Sequence, residues 1–192
     1  MTGTNDQRII SITGPSAAGK TTIVQRLLAE CADLSIIPSY MTRSRRENDI
    51  FEECRYVSQE EFVRLEEQQT FLWTADVHGN HYGTSRISID NALVSQNRSL
   101  IIAVPYVIPI LMKYANDSVL PIYIQAPSPG ELARRLRARG ESKTQIERRI
   151  VDCLQWDEDV RESNIPYQYV TNDTTIEEAV AHVKNILYST PK

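Results

Sequence analysis

Two hydrophobic periods alternate along this chain, one suited to strands and one to helices. The short run Arg8-Ile9-Ile10-Ser11-Ile12-Thr13 reads as a buried strand. Ile23, Val24, Leu27, Leu28 and Cys31 follow at helical spacing. Further buried strands are expected at Ser99 to Val104, Pro121 to Gln125 and Tyr167 to Val170. Pro121 has no N–H for a ladder, so it should sit at a strand start or edge. Ile176, Val180, Val183 and Leu187 form one apolar face of a last, core-packed helix. Ser or Thr followed three residues later by Glu or Gln marks helix starts as capping boxes. Such pairs are Ser58 with Glu61, Ser128 with Glu131, Ser142 with Gln145 and Thr175 with Glu178. Strands alternating with helices predict an α/β fold with a mainly parallel sheet and helices on both faces. From Ser39 to about Asn97 the alternation stops. That stretch is polar and charged, with short strands expected at Arg55-Tyr56-Val57 and Phe71-Leu72-Trp73-Thr74, and reads as an inserted lobe.

Bulk properties narrow the picture. The length of 192 residues suits one compact domain with a small inserted lobe. The net charge of −4 offers no basic field for nucleic acid, so any anion site is local. Cys31, Cys54 and Cys153 form neither a metal pattern nor a disulfide framework, which suits reduced thiols in the cytoplasm. The start, Met1-Thr2-Gly3-Thr4-Asn5-Asp6-Gln7, is polar and is not read as a signal peptide. Leu100 to Met112 is the most apolar stretch, contains Pro105 and Pro109, and is too short to span a bilayer. No membrane partner is expected.

The chemistry is concentrated between the first strand and the first helix. Gly14-Pro15-Ser16-Ala17-Ala18-Gly19-Lys20-Thr21-Thr22 fits G-x-x-x-x-G-K-[ST], the phosphate-binding loop. Gly14 and Gly19 let the backbone curl so that N–H groups point inward at phosphate oxygens. Lys20 supplies a mobile charge for the β- and γ-phosphates, and the Thr21 hydroxyl can hold Mg²⁺. Three further groupings stand out. Thr42-Arg43-Ser44-Arg45-Arg46 is either a phosphate clamp or a solvated basic turn. His78 and His81 lack an obvious third metal ligand, so Val77 to Ser85 reads as a hairpin with exposed imidazoles rather than a zinc site. Arg134, Arg135, Arg137 and Arg139, with Arg148 and Arg149, lie on or between two capped helices that Gly140 separates. Such arginines could close over a triphosphate, although Arg134 and Arg137 read as solvent-facing.

These segments, taken in order, resemble the guanylate kinase family over nearly the whole chain. Gly14 to Thr22 resembles its phosphate loop, and Ser39-Tyr40-Met41-Thr42-Arg43-Ser44-Arg45-Arg46 its S-x-T-T-R-x-P-R segment. Tyr56 to Phe62 resembles F-V-S-x-x-E-F, Val77 to Ser85 is nearly the family pattern, and Leu132 to Gly140 resembles the lid's L-x-x-R-L-x-x-R-G. The resemblance implies a three-layer sandwich with an ATP-binding core, an inserted acceptor-binding lobe and a helical lid. It places the core at 7–38, 98–127 and 164–190, the lobe at 39–97 and the lid at 128–163, all in one domain over 1–192. Gly14, Pro15, Ser16, Ala17, Ala18, Gly19, Lys20, Thr21 and Thr22 would then bind ATP, with Asn172 near the adenine. Arg43, Arg46 and Tyr82 would hold the acceptor phosphate, and Ser39 and Thr84 would lie beside its base. Lys20, Arg43, Arg139 and Arg149 would serve catalysis, and Thr21 would carry the Mg²⁺ that accompanies ATP.

The departures from the family pattern are specific. Its guanine-reading Glu is Trp73 here, and its strand-end L-D-x-D is Ile102-Ala103-Val104-Pro105. Its phosphate-binding tyrosine falls at Cys54, and its G-E-x-x-G turn is replaced around Asn48-Asp49-Ile50. The phosphate-handling parts are kept while base-reading acids are missing. Ribose 1,5-bisphosphate phosphokinases, of the same fold, share the missing acids and an L-P-x-x-x-Q strand, here Leu120 to Gln125. The expectation is an ATP- and Mg²⁺-dependent kinase of a small phosphorylated acceptor, by resemblance GMP or another nucleoside monophosphate. A ribose bisphosphate kinase and a non-catalytic module of this fold are the alternatives.

Overall fold

A computed structural model describes residues 7–46, 49 and 53–188. Asn48 and Ile50, which flank the altered turn, lie outside the described residues. In chain order the strands are β1 (Ile9–Thr13), β2 (Leu34–Ile36), β3 (Ser39–Met41), β4 (Cys54–Tyr56), β5 (Phe71–Val77), β6 (Asn80–Ser85), β7 (Arg98–Ile102), β8 (Val119–Gln125) and β9 (Gln168–Thr171). The helices are α1 (Lys20–Glu30), α2 (Gln59–Glu67), α3 (Arg86–Val94), α4 (Ile108–Ala115), α5 (Pro129–Ala138), α6 (Lys143–Glu162) and α7 (Ile176–Tyr188). A five-stranded sheet runs β2-β7-β1-β8-β9, and a four-stranded sheet runs β4-β3-β6-β5. The pairs β2–β7 and β8–β9 are parallel, so the class is the expected α/β fold with a mainly parallel central sheet.

The chain divides into two compact units. One comprises Met1–Ser11, Leu28–Ile101 and Tyr106–Leu120; the other comprises Ile12–Leu27, Ile102–Pro105 and Pro121–Lys192.

In the first unit the four-stranded sheet has two chemically distinct faces. Residues directly opposite on neighbouring strands share a face, and residues two apart on one strand share it too. Register places Ser39 opposite Cys54, and Met41 opposite both Tyr56 and Tyr82. Trp73 lies opposite Thr84, and Ala75 opposite Tyr82. These residues occupy one face. The other face carries Tyr40, Arg55, Gly83 and Thr74, and α2 packs there. Phe62 of α2 is 1% exposed and stacks on Phe71 at 4.8 Å, and Glu66 accepts a bond from the Thr74 hydroxyl at 2.9 Å. The register shifts between Phe71 and Trp73. This β-bulge turns Phe71 toward α2 and Trp73 away from it, although the two residues are only two apart.

The tight turn between β5 and β6 uses His78 at φ 54° and Gly79 at φ 77°. Two positive φ values give the hairpin turn whose twist matches the flanking strands. Asp76 accepts the Gly79 N–H, and the His81 ring lies 5.5 Å from Phe62. The hairpin reading of this segment holds, but the imidazoles of His78 and His81 are half-buried rather than exposed.

In the second unit, Ala17, Leu132, Ala133, Leu136, Ile146 and Cys153 form one apolar cluster. This cluster ties the loop before α1 to α5 and α6. The four capping pairs differ in outcome. In each the Ser or Thr oxygen accepts the expected N–H, but only Ser142 and Gln145 form the reciprocal box. The other three carboxylates go elsewhere: Glu61 to Arg64, Glu131 to Arg134 and Arg135, and Glu178 to Thr174. At the far end of α5, Gly140 adopts φ 78°. Its N–H reaches the Arg137 carbonyl and that of Glu141 reaches Leu136, a Schellman stop.

Pro121 corrects one expectation. It is the third residue of β8, an interior strand of its sheet. The ladder to β9 begins only at Ile122, paired with Gln168, so the missing N–H costs no bond on that side.

Candidate active site

The phosphate loop joins β1 to α1, the setting its chemistry requires. Gly14 has φ 138°, and a Cβ there would lie 2.3 Å from the Ile124 carbonyl oxygen. Gly19 has φ 99°, and its Cβ would lie 2.2 Å from Asn172 Nδ2. Only glycine fits either position. Ala17 also lies at positive φ, 62°, and is held there by the apolar cluster it joins. Alternating handedness of this kind aims successive main-chain N–H groups into one concavity, which suits an anion.

Lys20 donates from Nζ to the carbonyls of Gly14 and Pro15, at 2.7 and 2.8 Å. Its ammonium is thus stored across the mouth of its own loop. Arg149, from α6, donates to the Ser16 hydroxyl at 2.6 Å and is ion-paired to Glu141. Arg135, from α5, donates to the carbonyls of Ala17 (3.4 Å) and Asn172 (2.9 Å), while Glu131 holds its Nε at 2.8 Å. Asn172 is 4% exposed and its amide donates to the Ala18 carbonyl at 2.8 Å. The structure therefore places Asn172 behind the loop as a brace. Arg139 is exposed at the end of α5. Tyr123 of β8 donates to Asp157 of α6 at 2.7 Å, and burial with that bond pushes its phenol far above the ordinary range. Burial pushes the Cys153 thiol to about 11, with Asp157 adding to the rise and Lys20 opposing it.

A Mg²⁺ ion needs oxygen donors. Thr21, the second residue of α1, offers a hydroxyl, while the side chains of Ala103 and Pro105 carry no oxygen. Among the described residues no group of three or more His, Cys, Asp or Glu could hold a metal. This donor set suits an ion that arrives with nucleotide oxygens. Asp76 is engaged in the β5–β6 turn, with Gly79 N–H at 3.1 Å and His81 Nδ1 at 3.8 Å.

The second cluster belongs to the first unit, on the sheet face away from α2. Ser39 and Thr84 are buried, and their hydroxyls bond each other at 2.9 Å. Trp73 sits beside them and is 5% exposed. Two residues further along the same face come Tyr56 and Tyr82. The Arg43 guanidinium lies 5.7 Å from the Tyr56 ring and forms a bidentate pair with Asp49, at 2.7 and 2.6 Å. Asp49 also accepts the Tyr56 hydroxyl and the Arg46 main-chain N–H, the latter at 2.7 Å. Burial opposes the Asp49 charge, but the bonds from Arg43, Tyr56 and Arg46 outweigh it and hold the carboxyl at about 2. Arg46 joins the cluster through its backbone, and its side chain is exposed.

Sequence reasoning missed Arg135, Glu141, Asp49 and Tyr56 in these roles. Arg135 was one of several arginines on α5, and Glu131 pairs with Arg134 as well as with Arg135, so the spacing did not separate the two. Tyr56 carried a signal as well, since it lies two residues after Cys54 on the same strand face.

The guanylate kinase family model matches residues 6–190. A guanylate kinase of Symbiobacterium thermophilum is 32% identical over 181 residues, covering 93% of this chain and 83% of its own length. That of Rhizobium meliloti is 35% identical over 185 residues, covering 93% and 81%. That of Neisseria meningitidis serogroup A is 35% identical over 181 residues, covering 92% and 86%. The crystal structure of guanylate kinase from Anaplasma phagocytophilum shares the fold, with a TM-score of 0.70, 23% identity, and coverage of 93% of this chain and 83% of that one.

Proposed function

The chain belongs to the guanylate kinase family, and from that premise we propose that it transfers the γ-phosphoryl group of ATP to a nucleoside monophosphate, GMP first among them. The observation that carries this reading is that each of the two units holds an anion-suited cluster: a phosphate loop with Lys20 poised on it in one, and an Arg43 fork that already holds a carboxylate in the other. We further assign 39–97 to acceptor binding and 128–163 to the lid, within a cytoplasmic enzyme.

In this reading Lys20 leaves the Gly14 and Pro15 carbonyls and follows the β- and γ-phosphates. The loop amides take the phosphate oxygens, and Thr21 would hold the Mg²⁺ that comes with ATP. That ion, when bound, neutralises charge on the triphosphate. Arg149 turns from Ser16 to the transferring group, and Glu141 keeps its guanidinium aimed. Arg43, Tyr56 and Tyr82 hold the acceptor phosphate, with Ser39 and Thr84 on its base side. An acceptor phosphate oxygen forms a bond to the γ-phosphorus as the bond to the β–γ bridging oxygen breaks, and ADP leaves. The attacking oxygen is already anionic, so no strong base is required, and positioning and charge stabilisation supply the catalysis.

The test is a panel of GMP, dGMP, AMP, CMP, UMP and ribose 1,5-bisphosphate, with ADP and the phosphorylated product both measured. Product with a nucleoside monophosphate is expected. ATP binding without product from any member would make the protein a binding module. Product from the sugar bisphosphate alone would make it a sugar phosphate kinase.

A further inference from the structure

Four donors converge on one internal anion in the first unit. Arg43 gives two parallel bonds to Asp49, Tyr56 gives its hydroxyl, and Arg46 gives its main-chain N–H. Asp49 returns a bond from its own N–H to the Arg46 carbonyl at 3.2 Å. The side chains of Arg43 and Asp49 are only 12% and 8% exposed. A guanidinium fork, a phenol and a main-chain N–H are the donors that recognise two oxygens of a phosphate. A carboxylate presents a similar pair of oxygens and satisfies them all.

Resting on the reading of Arg43 as the acceptor-phosphate residue, we propose that Asp49 is an internal occupant of the acceptor's phosphate subsite, displaced when the acceptor binds. Asp49 thereby sets acceptor affinity and selects for acceptors whose phosphate carries enough charge to displace it. One Arg43 Nη1 hydrogen is further committed to the Ser44 carbonyl at 2.9 Å, so the fork cannot serve both anions through that end. Two anions sharing one guanidinium also repel. With its carboxyl held at about 2, Asp49 stays ionised at any working pH, and protonation does not clear the subsite.

The rival is a brace, in which Asp49 merely holds Arg43 still while phosphate uses the guanidinium's other edge. The two predict opposite signs. Calorimetry of GMP, and separately of inorganic phosphate, is run on the full chain as wild type, Asp49→Asn and Asp49→Ala. Asp49→Asn keeps the shape and removes the charge, so it is the variant that remains folded if Asp49→Ala does not. Occupancy predicts that Asp49→Asn binds both probes about tenfold more tightly, the change expected when one charge-assisted competitor is weakened. ATP affinity is expected to be unchanged. Weaker binding of GMP or phosphate to Asp49→Asn, or no change in either, overturns the proposal and leaves the kinase reading intact if GMP is still turned over. Tighter phosphate binding without turnover of any acceptor would retain the occupied anion site and remove the kinase reading.

Discussion

Replacing Gly19 by Ala probes how the phosphate loop is held from behind. The new Cβ would lie 2.2 Å from Asn172 Nδ2, about 1 Å short of ordinary contact. The far end of that side chain can move, but moving it breaks the 2.8 Å bond to the Ala18 carbonyl. Ala18 is 0% exposed, so water does not replace the partner. Losing that bond costs about 1–3 kcal/mol. An alanine at φ 99° adds about 1–3 kcal/mol of backbone strain. Asn172→Ala loses only the bond, about 1–3 kcal/mol. In the double variant the strain remains, but the bond is lost once rather than twice. The two changes are therefore expected to fall short of additivity by about 1–3 kcal/mol, the whole value of the shared bond. Urea unfolding of the four proteins measures this, and thermal melts should follow at roughly 2–4 °C per kcal/mol for a chain of this size. Additivity within about 0.5 kcal/mol would show that Asn172 does not brace the loop.

Arg43→Lys should raise the acceptor KM and lower kcat, because a point charge replaces a bidentate fork, while ATP affinity stays the same; equal loss of ATP affinity in steady-state kinetics would place Arg43 in the wrong site. The Asp49 carboxyl is held at about 2, below its unfolded value, so its stabilisation is present above the unfolded value near 4 and is lost as pH falls toward 2. Melts across pH 2–5 should show less acid loss in Asp49→Asn than in wild type, and parallel curves would refute the assignment. With Trp73 buried and Ala103 and Pro105 at the strand end, selectivity for GMP over AMP in kcat/KM is expected to stay below about a thousandfold, and a larger ratio would show that other groups read the base.

The phosphate loop and the helix after it were legible because each signal is local. Glycine, lysine and threonine stand at fixed offsets, and Ile23, Val24 and Leu27 do face the core. The last helix was legible for the same reason, with Ala179, Val180, Val183 and Leu187 buried. Helix α4 was not, because it lies in the apolar stretch from Leu100 to Met112, which Pro105 and Pro109 interrupt. Pro109 instead falls in the first turn, where its missing N–H would have no partner anyway. Strands β3 and β6 were hidden as well. β3 has three residues, and β6 is polar because its hydroxyls face a cluster rather than an apolar core. The bulge that turns Trp73 onto the Ser39–Thr84 face leaves no mark in the sequence period. Asp49 was illegible in another sense. Its partners Arg43, Arg46 and Tyr56 come from a loop and a short strand with no shared period, and only the fold brings four donors to one carboxylate.

The central claim is phosphoryl transfer from ATP through the Lys20 loop. ³¹P NMR of the full chain with Mg²⁺, ATP and GMP, as wild type and as Lys20→Ala, tests it most directly. Lys20 is half-buried and donates to two carbonyls of its own loop, so the variant is expected to stay folded by circular dichroism. The wild type should produce ADP and a nucleoside diphosphate in equal amounts, and Lys20→Ala should slow both by about a hundredfold or more. Equal rates in the two proteins, or ADP formed without the matching diphosphate, would contradict the account.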